Sequence, residues 1–141
     1  MKIELIRLSP SAKIPKRAKE DDAGLDLFAS ENITILAKNR KTVPTGIAIH
    51  LPKKTVGLVW DKSGIARENG LTTLGGVIDS GYQGEIQVII YNSGSKSVTI
   101  KKHQKIAQLI IQYFLPVEFK NVKKFSKKSK RGKKGFGSTG K

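Results

Sequence analysis

Residues 75–86 read GGVIDSGYQGEI, and this stretch decides how the rest of the chain is interpreted. Two apolar residues at 77–78 lead into it, and a longer apolar run at 86–91 leads out. Between them, residues 79–81 are Asp, Ser and Gly, which are the residue types favoured in tight turns. The segment therefore predicts two antiparallel strands joined by a short loop.

The same loop carries a carboxylate at Asp79 and an aromatic ring at Tyr82. Taken alone, it fits an ordinary hairpin with a solvated Asp79 and an edge Tyr82. The rest of the chain favours a functional role for these two residues over a purely structural one.

Strand signals recur at short intervals along the chain. Apolar residues that alternate or run continuously predict strands at 3–8, 32–36, 45–51, 55–60, 85–92, 98–100 and 105–115. Residues 44–46 (PTG) and 52–54 (PKK) have turn chemistry, and residues 9–22 are predicted to form a loop. Many short strands punctuated by Gly and Pro indicate an all-β sandwich or barrel.

Residues 61–70 (DKSGIARENG) interrupt this pattern and predict one short helix of about two turns. Ser63 is a good N-cap residue, and Gly70 is a natural stop. The helix N-terminus would present free N–H groups, the Ser63 hydroxyl and the Lys62 ammonium together, which suits a phosphate group. The alternative is a structural helix whose cap only satisfies its own backbone.

The formal net charge of the 141-residue chain is +16, and the charge is concentrated at the end. Residues 118–141 hold ten Lys or Arg and one acid. Such a basic balance suggests a polyanionic partner, either nucleic acid or a small polyphosphate. There is no Cys, no apolar run of membrane-spanning length and no signal-peptide core, so we expect a soluble intracellular protein.

The last segment combines glycines with a few chemically distinctive side chains. Arg131 offers a planar fork to phosphate, and Phe136 is a lone ring between glycines that can stack on a base. We interpret the segment as a mobile arm that orders over a nucleotide. For residues 120–130, a basic solubilising tail or a nuclear import signal is the alternative.

Five separated segments, in this order and spacing, resemble the five motifs of the trimeric dUTPases. They are DAGLDL at 22–27, KSGIA at 62–66, GVIDSGYQG at 76–84, IAQLI at 106–110 and RGKKGFGSTG at 131–140. The resemblance implies a jelly-roll-like β-barrel with one short helix and a flexible C-terminal arm. Residues 1–117 would form the barrel, and residues 118–141 would form an arm that closes over a neighbouring active site.

The resemblance also implies an assembly and a reaction. The chain would form a homotrimer with three sites at subunit junctions, where the loop, the phosphate-binding segments and the tail come from different chains. Asp79 would activate a water that attacks the α-phosphorus of dUTP, which gives dUMP and pyrophosphate. Mg²⁺ would be held mainly by the substrate phosphates, with Asp26 contacting it through water. Taken locally, Asp26 also fits a turn in which it bonds to a neighbouring backbone N–H.

The resemblance assigns the remaining substrate contacts residue by residue. Tyr82 would pack against the deoxyribose and leave no room for a 2′-hydroxyl. Backbone groups from Gly76, Val77 and Ile78 to Gln87 would bind the uracil. The phosphates would be held by Lys62, Ser63, Gly64 and Gln108. In the tail, Arg131 and Ser138 would clamp the phosphates, Phe136 would close over the uracil, and Gly137 would add a further substrate contact. For Gln108, a backbone partner within the strand is the default alternative.

Two features depart from the family pattern. Many members have Arg where this chain has Lys62, so a bidentate fork is replaced by a point charge. The fourth motif often begins Gly-Asp-Arg, and the corresponding residues 103–105 are His, Gln and Lys, which leaves the local turn in question.

Two other functions fit parts of the sequence. A dCTP deaminase-like enzyme would share the fold, although those enzymes lack the glycine-rich tail. A nucleic-acid-binding module would use the basic residues 120–130, and a dUTPase could make weak contact with nucleic acid through the same residues. A cytoplasmic location is expected, or a nuclear one if the source is eukaryotic or viral.

Overall fold

The computed structural model describes residues 1–133, which form an all-β fold with one short helix. The strands and the helix are β1 Glu4–Arg7, β2 Leu25–Phe28, β3 Ile33–Ile35, β4 Arg40–His50, β5 Thr55–Asp61, α1 Ser63–Asn69, β6 Leu71–Leu74, β7 Val77–Asp79, β8 Glu85–Asn92, β9 Val98–Ile100 and β10 Lys105–Tyr113. Every strand predicted from the sequence is confirmed, whereas β2 and β6 lie outside the predicted strands.

The strands form two four-stranded sheets and a two-stranded ribbon. Sheet 1 has the order β1-β4-β8-β6, sheet 2 has the order β2-β10-β5-β7, and β3 pairs with β9. All of the pairs are antiparallel, and both sheets contribute side chains to one apolar core. This arrangement confirms the predicted jelly-roll-like fold.

Strand β8 shows how the sequence pattern produces the core. Its side chains alternate, so that Ile86, Val88 and Ile90 are buried while Gln87 and Ile89 face outward. Full burial of an Ile side chain stabilises a fold by about 1.5–3 kcal/mol. Because both edges of β8 are paired, by β4 and β6, this strand anchors sheet 1.

The predicted hairpin at 75–86 is wrong in its pairing. Strand β7 pairs with β5 in sheet 2, whereas β8 lies in sheet 1. The strands that pair with β8 are β4 and β6. The loop at 80–84 therefore connects the two sheets instead of closing a hairpin.

The turn predicted at 44–46 is also wrong, because these residues lie inside β4. The register between β4 and β8 shifts between Pro44 and Ala48, and Gly46 has a φ of 71°. Proline lacks an N–H group and is tolerated in sheets at such irregularities. The residues of a turn thus form a bulge in a strand of 11 residues.

Three further segments outside the sheets are the turn at 101–104, the loop at 9–22 and the chain after β10. The turn at 101–104 forms, with His103 at a φ of 66° and the Gln104 N–H donating to the Lys101 carbonyl at 3.0 Å. Residues 9–22 form a loop, as predicted. After Tyr113, residues 114–133 contain no strand or helix and are exposed. None of the helical structure in residues 1–133 has the length and apolarity needed to span a membrane.

Candidate active site

The start of helix α1 differs from the predicted cap. Lys62 is the N-cap residue, with φ −88° and ψ 109°, and its carbonyl accepts the Ala66 N–H at 3.0 Å. Ser63 is therefore the first helical residue and not the cap. In the part of the chain that the structure describes, no hydrogen bond engages the Ser63 hydroxyl, and Gly64 has open space where a side chain would be. The predicted stop at Gly70 is confirmed by its left-handed φ of 65°.

The side chain of Lys62 points to Asp26, which is only 2% exposed. Asp26 Oδ1 accepts a hydrogen bond from Lys62 Nζ at 2.6 Å, and Oδ2 lies 2.7 Å from Lys105 Nζ. The second contact is an ion pair without hydrogen-bond alignment. Burial alone would raise the pKa of Asp26, but the ammonium groups of Lys105 and Lys62 outweigh it and lower the pKa. The carboxylate thus binds two cations, and not a neighbouring backbone N–H.

Gln108 lies on β10 directly beside Asp26 on β2. Its Nε2 donates to the Asp61 carbonyl at 2.9 Å, so the backbone partner expected for this amide is present. A Cβ added at Gly24 would lie 2.5 Å from Gln108 Oε1, so the amide needs the glycine. An amide nitrogen has two hydrogens, and the second can be donated to a ligand.

Asp61 was not singled out by the sequence, yet it is the most heavily hydrogen-bonded carboxylate of this region. Oδ1 accepts the Thr73 N–H at 2.6 Å and the Thr73 hydroxyl at 2.7 Å, while Oδ2 accepts the Thr72 hydroxyl at 2.8 Å. Burial acts to raise the pKa of Asp61, but these hydrogen bonds lower it. No local pattern reveals such a pairing, because the partners lie on the far side of α1.

The loop between β7 and β8 has a defined conformation. The Tyr82 N–H donates to the Asp79 carbonyl at 3.0 Å, and the Tyr82 hydroxyl donates to the Glu85 carbonyl at 2.8 Å. At Gly76, with a φ of 100°, an added Cβ would lie 2.8 Å from the Val59 carbonyl oxygen. Both the positive φ and this close approach require glycine.

An open cleft forms around this loop. It brings together the residues predicted to bind uracil, to pack against the deoxyribose and to act as the general base. These are Gly76, Val77, Ile78, Asp79, Tyr82 and Gln87. The cleft floor includes Val59 and Ile86, so an apolar surface lies beside a few polar groups. Such a composition is typical of small-molecule sites.

The structure does not bring this cleft together with the phosphate-binding candidates of the same chain. Asp79 pairs with Val56 on β5, whereas Gln108 on β10 pairs with Trp60. Four residues along β5 and two strand spacings across the sheet put the Cα atoms of Asp79 and Gln108 about 16 Å apart. Lys62 directly follows the last residue of β5, at the same end of this strand as Trp60, the partner of Gln108.

The substrate contacts predicted for the tail begin at Arg131, and the structure describes the chain only to Lys133. Arg131 is exposed, and the predicted contacts of Phe136, Gly137 and Ser138 lie outside residues 1–133. No group of three or more His, Cys, Asp or Glu side chains within residues 1–133 could hold a metal ion.

Comparison with known proteins identifies the family. The dUTPase family model matches residues 10–140. The deoxyuridine 5′-triphosphate nucleotidohydrolase of Clostridium tetani is 43% identical, over 100% of this chain and 97% of that protein. The enzyme of the same name from Gloeothece citriformis is 42% identical, over 99% and 97% of the two chains.

Solved structures give the same result. The dUTPase of Staphylococcus bacteriophage 80alpha with dUpNHpp superposes with a TM-score of 0.93 at 30% identity, covering 99% of this chain and 98% of that one. A mutant dUTPase from phage phi11 of S. aureus, described as coordinating a structural Mg(II) ion, superposes with a TM-score of 0.84 at 25% identity, covering 90% and 100%.

Proposed function

The chain belongs to the dUTPase family, and on that premise we propose that it hydrolyses dUTP to dUMP and pyrophosphate. The cleft that gathers Asp79, Tyr82 and the backbone of residues 76–78 is the observation that carries the proposal. The reaction would limit incorporation of uracil into DNA and supply dUMP for dTTP synthesis. Because its substrate belongs to the pool of DNA precursors, the enzyme would work inside the cell.

In the proposed reaction, Asp79 orients and deprotonates the water that attacks the α-phosphorus. Asp79 ends β7 and is exposed to the cleft, so its carboxylate can approach a bound nucleotide. A carboxylate is a weak base at neutral pH, so positioning and charge neutralisation must supply most of the rate acceleration.

Selectivity in this proposal follows from the same loop. The Tyr82 ring, held by its bond to the Glu85 carbonyl, would pack on the deoxyribose and exclude a 2′-hydroxyl. Backbone groups from Gly76 to Ile78, with Gln87 on the return strand, would read the uracil edge. A cleft shaped for uracil would exclude the thymine methyl, and cytosine would present the wrong order of donors and acceptors.

The phosphates would be held where α1 begins. Lys62 supplies charge, the Ser63 hydroxyl has no hydrogen bond within residues 1–133, and the space beside Gly64 is open. Gln108 retains one N–H to donate. These donors suit phosphate oxygens.

Magnesium fits this site as an ion carried by the substrate. The described residues offer it one buried carboxylate, Asp26, and two ammonium groups already flank that carboxylate. The triphosphate would therefore provide most of the ligands, with Asp26 contributing through water. When bound, Mg²⁺ neutralises charge on the leaving pyrophosphate.

We place each complete site between subunits of a homotrimer. The separation of about 16 Å between Asp79 and Gln108 supports this proposal, because both must act on one phosphate chain. Strand β5 pairs with β7 near one end and with β10 along its length, so these ladders hold the two residues at this separation within a chain. Residues 1–117 would supply the barrel, and residues 118–141 would supply the arm, with Arg131, Phe136, Gly137 and Ser138 closing a neighbouring site.

A mixing experiment tests the shared site. Asp79→Asn and Gln108→Ala chains should each be nearly inactive alone. After mixed refolding, hybrid trimers should recover part of the activity, because some sites then combine an intact Asp79 with an intact Gln108. Absence of recovery in verified hybrids would contradict sharing.

The direct test of the reaction is pyrophosphate release with Mg²⁺ from dUTP, UTP, dTTP and dCTP. The expected result is release from dUTP alone. Release of ammonia from dCTP, with no reaction on dUTP, would instead support a deaminase.

A second activity, weak contact with nucleic acid, is favoured by the arm. Residues 118–133 contain eight Lys or Arg and one acid, and all of them are exposed. Phe119 and Phe125, which are 97% and 89% exposed, could stack on bases between these cations. Retention on single-stranded DNA should fall steeply with salt and disappear when lysines 120–130 are changed to Gln, but not when Lys101 and Lys102 are changed. Unchanged retention in the arm variant would overturn this second proposal.

A further inference from the structure

Asp61 connects the two ends of the segment that contains helix α1. It is the last residue of β5, immediately before Lys62, and its carboxylate accepts three hydrogen bonds from Thr72 and Thr73 on β6. The chain between these partners is residues 62–71, which includes the phosphate-binding candidates. The carboxylate thus closes the base of this loop.

The main chain of Asp61 makes a second connection. Its carbonyl accepts the Gln108 Nε2 hydrogen bond at 2.9 Å, which fixes one hydrogen of the amide and aims the other away. Gln108 Oε1 occupies the space that a side chain at position 24 would fill. One residue therefore restrains both Lys62 with its helix and the amide of Gln108.

We propose that Asp61 is a positioning residue that holds the triphosphate-binding groups of residues 62–64 and Gln108 in place for the proposed dUTP hydrolysis. The inference rests on the proposed function and deepens it. Asp61 itself need not touch the substrate, because its side-chain oxygens are already occupied by three donors. Its contribution is preorganisation, which reduces the ordering required when the phosphates bind.

The geometry separates this role from general stabilisation. Residues 62–64 and Gln108 belong to the phosphate half of the site, whereas the uracil cleft is built by the loop at 76–87. Loss of the carboxylate should therefore weaken binding of the triphosphate while binding of the nucleoside remains. A purely structural role would affect both ligands or neither.

The test measures binding of dUpNHpp with Mg²⁺ and of 2′-deoxyuridine to the full chain and to Asp61→Asn and Asp61→Ala. The affinity of Asp61→Ala for dUpNHpp should fall about tenfold or more, as expected when hydrogen bonds to a charged group are lost. Its affinity for deoxyuridine should stay within about twofold. Asp61→Asn keeps the side-chain shape and should give an intermediate loss.

Two further variants keep the test informative if Asp61→Ala folds poorly. Thr73→Val removes one hydroxyl donor with little change of shape and should show the same selective loss at smaller size. Combined with Asp61→Asn, it should add less than its separate effect, because both changes break one network. Thr99→Val, at an exposed hydroxyl pair on β9, is the matched control and should change neither affinity.

Two results would overturn the inference. One is an equal loss of affinity for both ligands, and the other is unchanged dUpNHpp affinity in all of the Asp61 variants. Failure of the proposed function has a different signature, because wild-type protein would then release no pyrophosphate from dUTP.

Discussion

Gly84 controls the position of the Tyr82 ring, so Gly84→Ala tests the proposed basis of sugar selectivity. A Cβ added at Gly84 would lie 2.6 Å from Tyr82 Oη, 2.7 Å from Cζ and 3.0 Å from Cε2. Ordinary contact begins near 3.4 Å, so the hydroxyl end of the ring must retreat by about 0.8 Å. Gly84 itself does not have a left-handed φ, so alanine adds no backbone strain.

The retreat has a defined consequence. It is expected to lengthen and weaken the 2.8 Å hydrogen bond from Tyr82 to the Glu85 carbonyl. Loss of such a bond costs about 1 kcal/mol, and displacement of a positioning ring costs more. We expect kcat/KM for dUTP to fall more than that for UTP, so that the ratio of the two drops about tenfold.

The assay is pyrophosphate release from dUTP and UTP under identical conditions. Gly81→Ala is the matched control, because it lies in the same loop, has no atom within 4 Å of the added Cβ and has no left-handed φ. Its ratio should equal that of the wild type. If Gly84→Ala also kept the wild-type ratio, Tyr82 packing would not be the source of discrimination against UTP.

Three other perturbations address the proposed general base, the arm and the carboxylates of Asp26 and Asp61. Asp79→Asn should keep the fold but lower kcat by about 10²–10⁴, the usual contribution of a general base, and full activity by steady-state assay would remove Asp79 from that role. A chain ending before Arg131 should fold and assemble, as judged by light scattering, yet hydrolyse dUTP poorly; normal turnover would contradict the proposed arm. Because the pKa values of Asp26 and Asp61 are lowered in the fold, their stabilising contribution is present above about pH 4 and is lost as the pH falls through the folded values. Urea unfolding between pH 6 and 3 should show this loss, with a smaller pH dependence in Asp61→Asn, and an identical slope in both proteins would refute the assignment.

The sequence was sufficient to predict most of the local elements, because alternating burial is a local property. The alternation in β8 and the Gly70 stop of α1 both follow from neighbouring residues and are confirmed. Pairing was harder to predict, since it depends on which edges distant strands leave open. For this reason the loop at 80–84 was assigned to a hairpin, and Pro44 was assigned to a turn.

The same distinction applies to the candidate site. Asp79 and Tyr82 could be identified because they lie three residues apart in one short motif at 76–84. The structure places them in one cleft. Asp61 and Lys105 could not, because their partners are remote in sequence: Thr73 lies beyond a helix, and Asp26 lies on another strand. Ion pairs and hydrogen bonds of this kind can be identified only when the pairing register of the strands is known.

Strand β5 supports the proposal that a single folded chain holds only part of the site. Asp79 is fixed near the start of β5 through the β7 ladder, and Lys62 follows its end. A strand rises about 3.3 Å per residue and cannot shorten, so the sheet holds the proposed base and the proposed phosphate donors apart. Moving them closer together within a chain would require breaking the ladders that form the core. Joining two chains requires only surface contact, so the proposed sharing of sites between subunits is the solution that leaves both sheets intact.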